Sequence, residues 1–418
     1  MDLSRDSNSA PVYIVTDNQY YDEDIDGTDV DMAMSEVSSC RTMSTLSSGE
    51  VAGDRVLVDP QRYLVFTGQL STEDAPLPRY SQQPNYFQTL HGFTYVTDEN
   101  IPIAFPTDSV AERINIVFNI ITRLCQGGKN VPAAADELLL RGGLDGNGAR
   151  VLNLVTNSGV WYVGSVPAQV KQGLMRFGSR AHEVAAAYPN VEIVSLDVKP
   201  LTALAPHARI NFEVYDLYAG IAEPDASFDL VHARQCVTLT KDYNFLLREM
   251  HRVLKPGGIL VIGEMPSQSY EANNPSVLLH SSPRRVEAVR MMRAAHASQG
   301  IDITAWDDMP SRLDSSHPMW GNHDSKGDQH TIRGFHTITS FAHLIPSGPW
   351  PTNEEQRAIG AMAKLIFEKV WKALLPMLQI SGMKKSEAEA FVASVEEEVK
   401  DPKYRSYTKY KVWCARKI

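Results

Sequence analysis

From Arg150 onward the chain alternates short apolar runs with amphipathic stretches. Val151 to Val155, Val191 to Leu196, Ile210 to Val214, Phe228 to Ala233 and Ile259 to Gly263 are apolar runs of strand length. The second ends at Asp197 and the third near Asp216. Between the fourth and fifth, Asn244 to Leu254 places Leu246, Leu247, Met250, Val253 and Leu254 on one side of a helix. Lys255-Pro256-Gly257-Gly258 predicts a turn into the fifth strand. Strands separated by helices or crossovers imply an α/β fold, with a parallel sheet and right-handed connections.

The flanks carry helical spacing. Val110, Ile114, Val117, Ile121 and Leu124 predict a helix over Ser109 to Cys125, capped by Thr107 or Asp108 after Pro106. Ser282 as cap, Pro283 in the first turn and Gly300 as stop predict a helix to Ser298. Ile303 to Gly334 reads as irregular, and Thr337 to Ile345 as a strand. Asn353 to Leu378 reads as one long helix, with Ile359, Ala363, Ile366, Phe367, Val370 and Leu374 buried. Ser386 to Lys400 reads as another, on Ala388, Phe391, Val392, Val395 and Val399. Tyr407 to Ala415 alternates like a terminal strand that returns to complete the sheet. The expected organisation is a tail over 1–55, a lead-in or lid over 56–145, a ligand-binding core over 146–265, and helical additions with the last sheet strands over 266–418.

Charge changes the picture mainly at the start. Residues 1–55 are rich in Ser, Asp and Glu, no Lys or Arg falls between Arg5 and Arg41, and the first Lys is Lys129. Tyr20 to Asp31 (Y-Y-D-E-D-I-D-G-T-D-V-D) predicts a disordered acidic tail, solvated or serving a basic partner. The net charge of −10 argues against a general nucleic-acid binder. No apolar run approaches a membrane span and no basic-then-apolar leader is present, so an intracellular protein, nuclear or cytoplasmic, is expected. Cys40, Cys125, Cys236 and Cys414 lie far apart, which fits reduced thiols; Cys236 reads as a small buried hydrophobe. The His and Asp residues between Asp314 and His336 are irregularly spaced, so a solvated loop is expected there and no metal site.

A parallel α/β sheet places its ligand at the carboxyl ends of its strands. Three features fall there. The first is the turn after Val151 to Val155, reading V-L-N-L-V-T-N-S-G-V-W, whose backbone N–H groups and following helix can hold a carboxylate for about 0.3–2 kcal/mol. The second is Asp197, a carboxylate able to accept both hydroxyls of a ribose. The third is Asp216, able to accept from an adenine amino group. Either acid alone is an ordinary turn residue; at the ends of successive strands they favour an adenosyl ligand.

Phe228-Asp-Leu-Val-His-Ala-Arg234, followed by Leu246-Leu-Arg-Glu-Met-His-Arg-Val-Leu-Lys-Pro-Gly-Gly258, resembles the class I S-adenosylmethionine-dependent methyltransferases over Arg150 to Glu264. His91-Gly-Phe-Thr-Tyr95 with Phe105-Pro-Thr-Asp108, Pro346-Ser-Gly-Pro-Trp-Pro351 and Asp401-Pro402 before Tyr407 to Lys417 look like the fungal LaeA-like (UmtA) methyltransferases, extending the resemblance over roughly residues 85 to 418. The resemblance implies a Rossmann-like sheet, S-adenosyl-L-methionine as cofactor, and a tie to secondary metabolism. It also implies that Asp197 is the ribose acid, Asp216 the adenine-side acid and Leu217 a neighbour of the adenine. Asn153 stands where the family has Asp. Val155, Thr156, Asn157 and Gly159 occupy the glycine loop, so Val155 and Asn157 replace two of its three glycines. Asn tolerates a left-handed backbone; a branched Val there would be strained by about 1–3 kcal/mol.

The interval from Gly159 to Asp197 is about twice what the resemblance implies, and the excess lies in residues 162–180. Without them the chain would read G-V-W-A-H-E-V-A-A-A-Y-P, and W-Y-V can be encoded across a fungal splice-donor sequence, which favours a retained intron. Val170, Leu174, Phe177, Ala181, Val184 and Tyr188 recur at helical spacing, which favours a real insertion. Methyl transfer is an in-line displacement that positioning and exclusion of water can accomplish. Tyr95, His232, Arg234 and Glu264 are candidates for the substrate side, each with a packing or surface role as the alternative. The acceptor is a small metabolite or a protein; the rival reading is a weak or inactive methyltransferase fold kept as a regulator that binds a protein partner.

Overall fold

In the computed structural model the described residues are 13–15, 87–155, 180–198, 208–214, 217–218, 220–321 and 333–418. In chain order the elements are β1 (Tyr13–Val15), β2 (Phe87–Leu90), β3 (Phe93–Val96), α1 (Ser109–Cys125), α2 (Ala133–Leu140), β4 (Ala149–Leu154), α3 (Arg180–Ala187), β5 (Val191–Asp197), β6 (Ile210–Val214) and β7 (Phe228–Arg234). There follow α4 (Tyr243–Val253), β8 (Leu254–Glu264), β9 (Tyr270–Glu271), α5 (Pro283–Ser298), α6 (Ala305–Leu313), β10 (Phe335–Pro346), α7 (Glu354–Val370), α8 (Leu374–Ile380), α9 (Lys385–Lys400) and β11 (Ser406–Lys417).

The main sheet runs β1-β6-β5-β4-β7-β8-β11-β10, with β9 on the start of β11. β6, β5, β4, β7 and β8 are mutually parallel, as their apolar runs predict, and β11 and β10 close that side antiparallel. Tyr13–Val15, inside the stretch whose composition suggests a tail, pairs antiparallel with β6. Both sheet faces are covered. One buries Val151, Ile193 and Leu230 under α1, α2, α3 and α7; the other buries Leu152, Leu154, Val231 and Ile262 under α4 and α6. α5, α8 and α9 share a third cluster. No described helix is long and apolar enough to cross a membrane.

The Lys255-Pro-Gly-Gly258 stretch is not a turn between elements. Phe228 pairs with Leu254 and Leu230 with Ile259, so the four residues loop out as a bulge inside β8, opposite Asp229 alone. Gly257 sits at φ +76, and a Cβ on Gly258 would lie 2.8 Å from the Lys255 oxygen. Asp229 explains why these two motifs travel together. Its fully buried carboxylate accepts from the N–H groups of Leu144 and Arg150, each at 2.9 Å, and from Lys255 Nζ at 3.0 Å.

Other departures have local causes. Ser282 is the N-cap of α5 but not through its own side chain: its hydroxyl donates to Glu398, whose carboxylate accepts the Arg284 and Arg285 N–H groups. The long helix expected over Asn353 to Leu378 breaks at a 3-10 turn, Trp371–Ala373, before Pro376. The stretch expected to be irregular contains α6, helical despite Pro310, because Trp306, Met309 and Leu313 are buried in the sheet-face cluster.

Candidate functional site

The chain visits β4, then β5 and β6 on one side, then crosses to β7 and β8 on the other. Strand order therefore reverses between β4 and β7, and in an open α/β sheet the ligand crevice lies outside the carboxyl ends at that reversal. The first residue beyond β4 is Val155, with φ +60; the first beyond β7 is Gln235, with φ +54. Two non-glycine residues thus hold left-handed backbone at adjacent strand ends, where such strain clusters at functional sites. Val155 donates its N–H to the Leu196 oxygen at 2.8 Å, and Gln235 to the Gly263 oxygen at 2.9 Å.

Val155 has the backbone a glycine would supply. Its side chain is 3% exposed and joins the apolar cluster containing Leu154, Leu196, Val198 and Leu217. Val155→Gly should therefore trade lost packing against relieved strain. Val155→Ala loses packing and keeps the left-handed penalty. Urea unfolding is expected to rank the Gly variant about 1 kcal/mol above the Ala variant; a Gly variant that is the weaker of the two would show that φ +60 carries no strain.

Asp197 ends β5 with 1% exposure, and its Oδ1 accepts the Val198 N–H at 2.8 Å. Leu217 is buried beyond β6. Asp216, Thr156, Asn157 and Gly159 lie outside the described residues, as does residues 162–179; described helix α3 begins at Arg180 and buries Ala181, Val184 and Ala185.

Asn153 stands one strand-width from both Ser195 and His232, in register on β5 and β7. Its Nδ2 donates to Ser195 Oγ at 3.0 Å, and His232 Nδ1 lies 3.3 Å from its Oδ1. A carbonyl oxygen only accepts, so this contact uses the Nδ1–H tautomer. All three residues are buried on the face under α3. Arg234, two residues on from His232, turns into α1: Nη1 donates to Asn119 Oδ1 at 2.6 Å and to Thr122 Oγ1 at 3.4 Å, and the guanidinium lies 5.9 Å from the Phe118 ring.

Glu264, at the end of β8, is 1% exposed. Its Oε1 accepts the N–H groups of Cys236 and Val237, at 2.8 and 3.3 Å, and its Oε2 accepts Trp306 Nε1–H at 3.1 Å. Burial pushes its pKa up to about 7, while the three donors pull the other way. These bonds tie the turn after β7 to α6 and occupy both oxygens. Tyr95, on β3, is 3% exposed; among the described residues its hydroxyl has no hydrogen-bond partner, and burial, with Asp108 nearby, raises its pKa. The structure thus joins Asn153 with His232, and places Val155 and Asp197 at neighbouring strand ends. It takes Arg234 toward α1 and Glu264 into the α6 contact. Gln235 was not among the residues singled out by sequence; nothing in H-A-R-Q-C announces a positive φ. Among the described residues no group of three His, Cys, Asp or Glu side chains could hold a metal ion.

Several known proteins are similar to this chain. Residues 163–262 match the family described as methyltransferase domain. A methyltransferase, pytC, from Aspergillus terreus is 23% identical over 328 residues, covering 78% of this chain and 86% of that protein. The secondary metabolism regulator laeA of Coprinopsis cinerea is 34% identical over 93 residues, 22% of this chain and 23% of that one. Among solved structures, phosphoethanolamine N-methyltransferase 2 of Haemonchus contortus in complex with S-adenosyl-L-methionine overlays with TM-score 0.33 at 13% identity, over 72% of this chain and 57% of that one.

Proposed function

We propose that this chain, which carries a class I S-adenosylmethionine-dependent methyltransferase domain, is an active enzyme that methylates an acceptor connected with fungal secondary metabolism. The observation that carries the reading is the pairing of Val155 and Asp197 at the carboxyl ends of adjacent strands beside the strand-order reversal. The laeA-type relative supports the metabolic connection.

The residues present suit the cofactor. Asp197 is a buried carboxylate where a ribose diol would be received, and the backbone at Val155 already has the glycine-like conformation of the methionine-side turn. Bound S-adenosylmethionine supplies a methyl group on a sulfonium, open to in-line attack. The chain's own part is positioning and exclusion of water. Asp197 would orient the ribose, and Leu217 would line the adenine side. The segment from Ile101 to Pro106 is strapped down: Gln299 accepts from Ile103 N–H at 2.7 Å and donates to its oxygen at 3.0 Å, and Lys241 Nζ donates to the Glu99 oxygen at 2.7 Å. Ala104 is thereby buried in the same cluster as Val155 and Leu217, as a cover over the crevice requires.

Calorimetry with S-adenosylmethionine and S-adenosylhomocysteine checks this on the full chain. One-site binding of both is expected; a folded sample that takes up neither removes the enzyme reading and leaves the fold as a partner-binding scaffold.

A further inference from the structure

We infer that Arg293, Lys409 and Lys411 form an anion-binding subsite that receives a carboxylate or phosphate group of the methyl acceptor. This rests on the methyltransferase reading above, and names the acceptor's class. Lys411 is in register with Glu264, the last residue of β8, and Lys409 lies two residues further beyond that strand's carboxyl end. β11 is two strands from β7, about 10 Å at ordinary strand spacing. The cluster therefore flanks the crevice on the side away from β5, within reach of one extended small molecule.

The three cations each lie against an aromatic residue, Arg293 at Trp306, Lys409 at Tyr270 and Lys411 at Trp413. Lys409 Nζ is 3.7 Å from the Tyr270 centroid, and the Arg293 guanidinium is 5.8 Å from the Trp306 ring. Lys411 Nζ donates to the Trp306 oxygen at 2.7 Å. The carboxylate placed among them is Asp307, 3.5 Å from Arg293 and 3.7 Å from Lys411. Glu264 accepts the indole N–H and has both oxygens engaged, and Glu271 accepts from His280 N–H and Ser281 N–H. Among the described residues, Asp307 is the one carboxylate within 4 Å of the three cations, so a bound anion would add a second close counter-charge.

A second observation points to a missing partner. Among the described residues, Arg293 Nη1 is buried without a hydrogen-bond partner, and so are both ring nitrogens of His296, which is 4% exposed and packs edge-on to Trp306. Buried donors and acceptors are normally paired, so an arginine and a histidine left open on adjacent turns of α5 mark a place built for a polar guest. Burial and the neighbouring Lys411 lower the Lys409 pKa, the sign expected of crowded cations; burial and Arg293 hold His296 neutral, its pKa lowered to about 4. A neutral imidazole can donate to the anion without adding charge.

The test titrates inorganic phosphate and, separately, acetate into the full chain at constant ionic strength, read by calorimetry and by the indole N–H resonance of Trp306. Saturable binding is expected, weakened roughly tenfold or more by Lys409→Ala, a loss of at least one charge-assisted contact. Asp307→Asn, at an exposed position, is expected to tighten it several-fold. Response to phosphate alone assigns a phosphate-bearing acceptor, and response to acetate alone a carboxylate-bearing one. No saturable response to either, or responses unchanged in both variants, overturns the subsite. S-adenosylhomocysteine titrated into the same samples separates the two ideas. Cofactor binding without anion binding removes the subsite and keeps the methyltransferase; anion binding without cofactor binding removes the methyltransferase reading and, with it, the assignment of the anion to a methyl acceptor.

Discussion

Asp229→Ala is expected to destabilise the protein by about 3–5 kcal/mol, the range for breaking a buried charge pair by removing one partner. The Asp229 side chain is fully buried at the amino end of β7, opposite to the crevice. It meets three donors at once: two backbone N–H groups, from Leu144 and Arg150, and the Lys255 ammonium. Each orphaned N–H costs about 1–3 kcal/mol. The Lys255 ammonium keeps Asp145, 3.5 Å away and exposed, which recovers little. Alanine has no acceptor to offer, and the adjoining Gly143 and Gly258 have no side chain to move into the gap. Asp229→Asn, with one acceptor and no charge, should fall between. Urea unfolding measures both; a loss below about 1 kcal/mol for the alanine variant would mean that the loop finds other acceptors. Because the contact lies at the far end of the strands, the folded fraction should bind cofactor as the wild type does.

That contact also explains how much of the fold was legible. The five parallel strands were readable as apolar runs, because a sheet covered on both faces buries them whole; α1 and α4 were readable from helical spacing, and α5 from its Ser282 cap, Pro283 and Gly300 stop. The F-D-L-V and K-P-G-G motifs were visible as words; that Asp229 and Lys255 join them was not, because the pairing depends on the bulge in β8. α6 was missed for a different reason. Its Pro310 and paired acids, Asp307 and Asp308, look like a breaker and a loop, while the burial of Trp306 and Met309 that stabilises it comes from the sheet.

The site divides in the same way. Asp197 could be placed from sequence because a strand end is a local property. The left-handed backbone at Val155 was legible only as a departure from a glycine pattern, and the structure has it at φ +60. Gln235 and the bonds of Glu264 carried no sequence signal, since both arise from the meeting of β7, β8 and α6. Glu264 in particular reads as an acid near a crevice; its three donors make it a tie between the turn after β7 and α6 instead of an open carboxylate.

The other large effect concerns affinity. Asp197→Ala should weaken S-adenosylmethionine binding about 100-fold, or about 3 kcal/mol, the sum expected for two hydrogen bonds to a charged acceptor at the low end of their range. Burial of Asp197 sets the size of this effect. At 1% exposure the carboxylate is shielded from water, where a hydrogen bond from a ribose diol is stronger than in solution. Asp197→Asn keeps one acceptor atom and should lose about tenfold. Both variants also disturb the bond from Val198 N–H to Oδ1, so their stability must be measured beside their affinity. The two readouts separate the roles. A purely structural carboxylate would lower stability and leave the affinity of the folded fraction within about twofold of wild type, whereas a ribose acid loses affinity even where the protein remains folded. That first pattern would take the ribose assignment from Asp197 and move the search for it to the loop beyond β6.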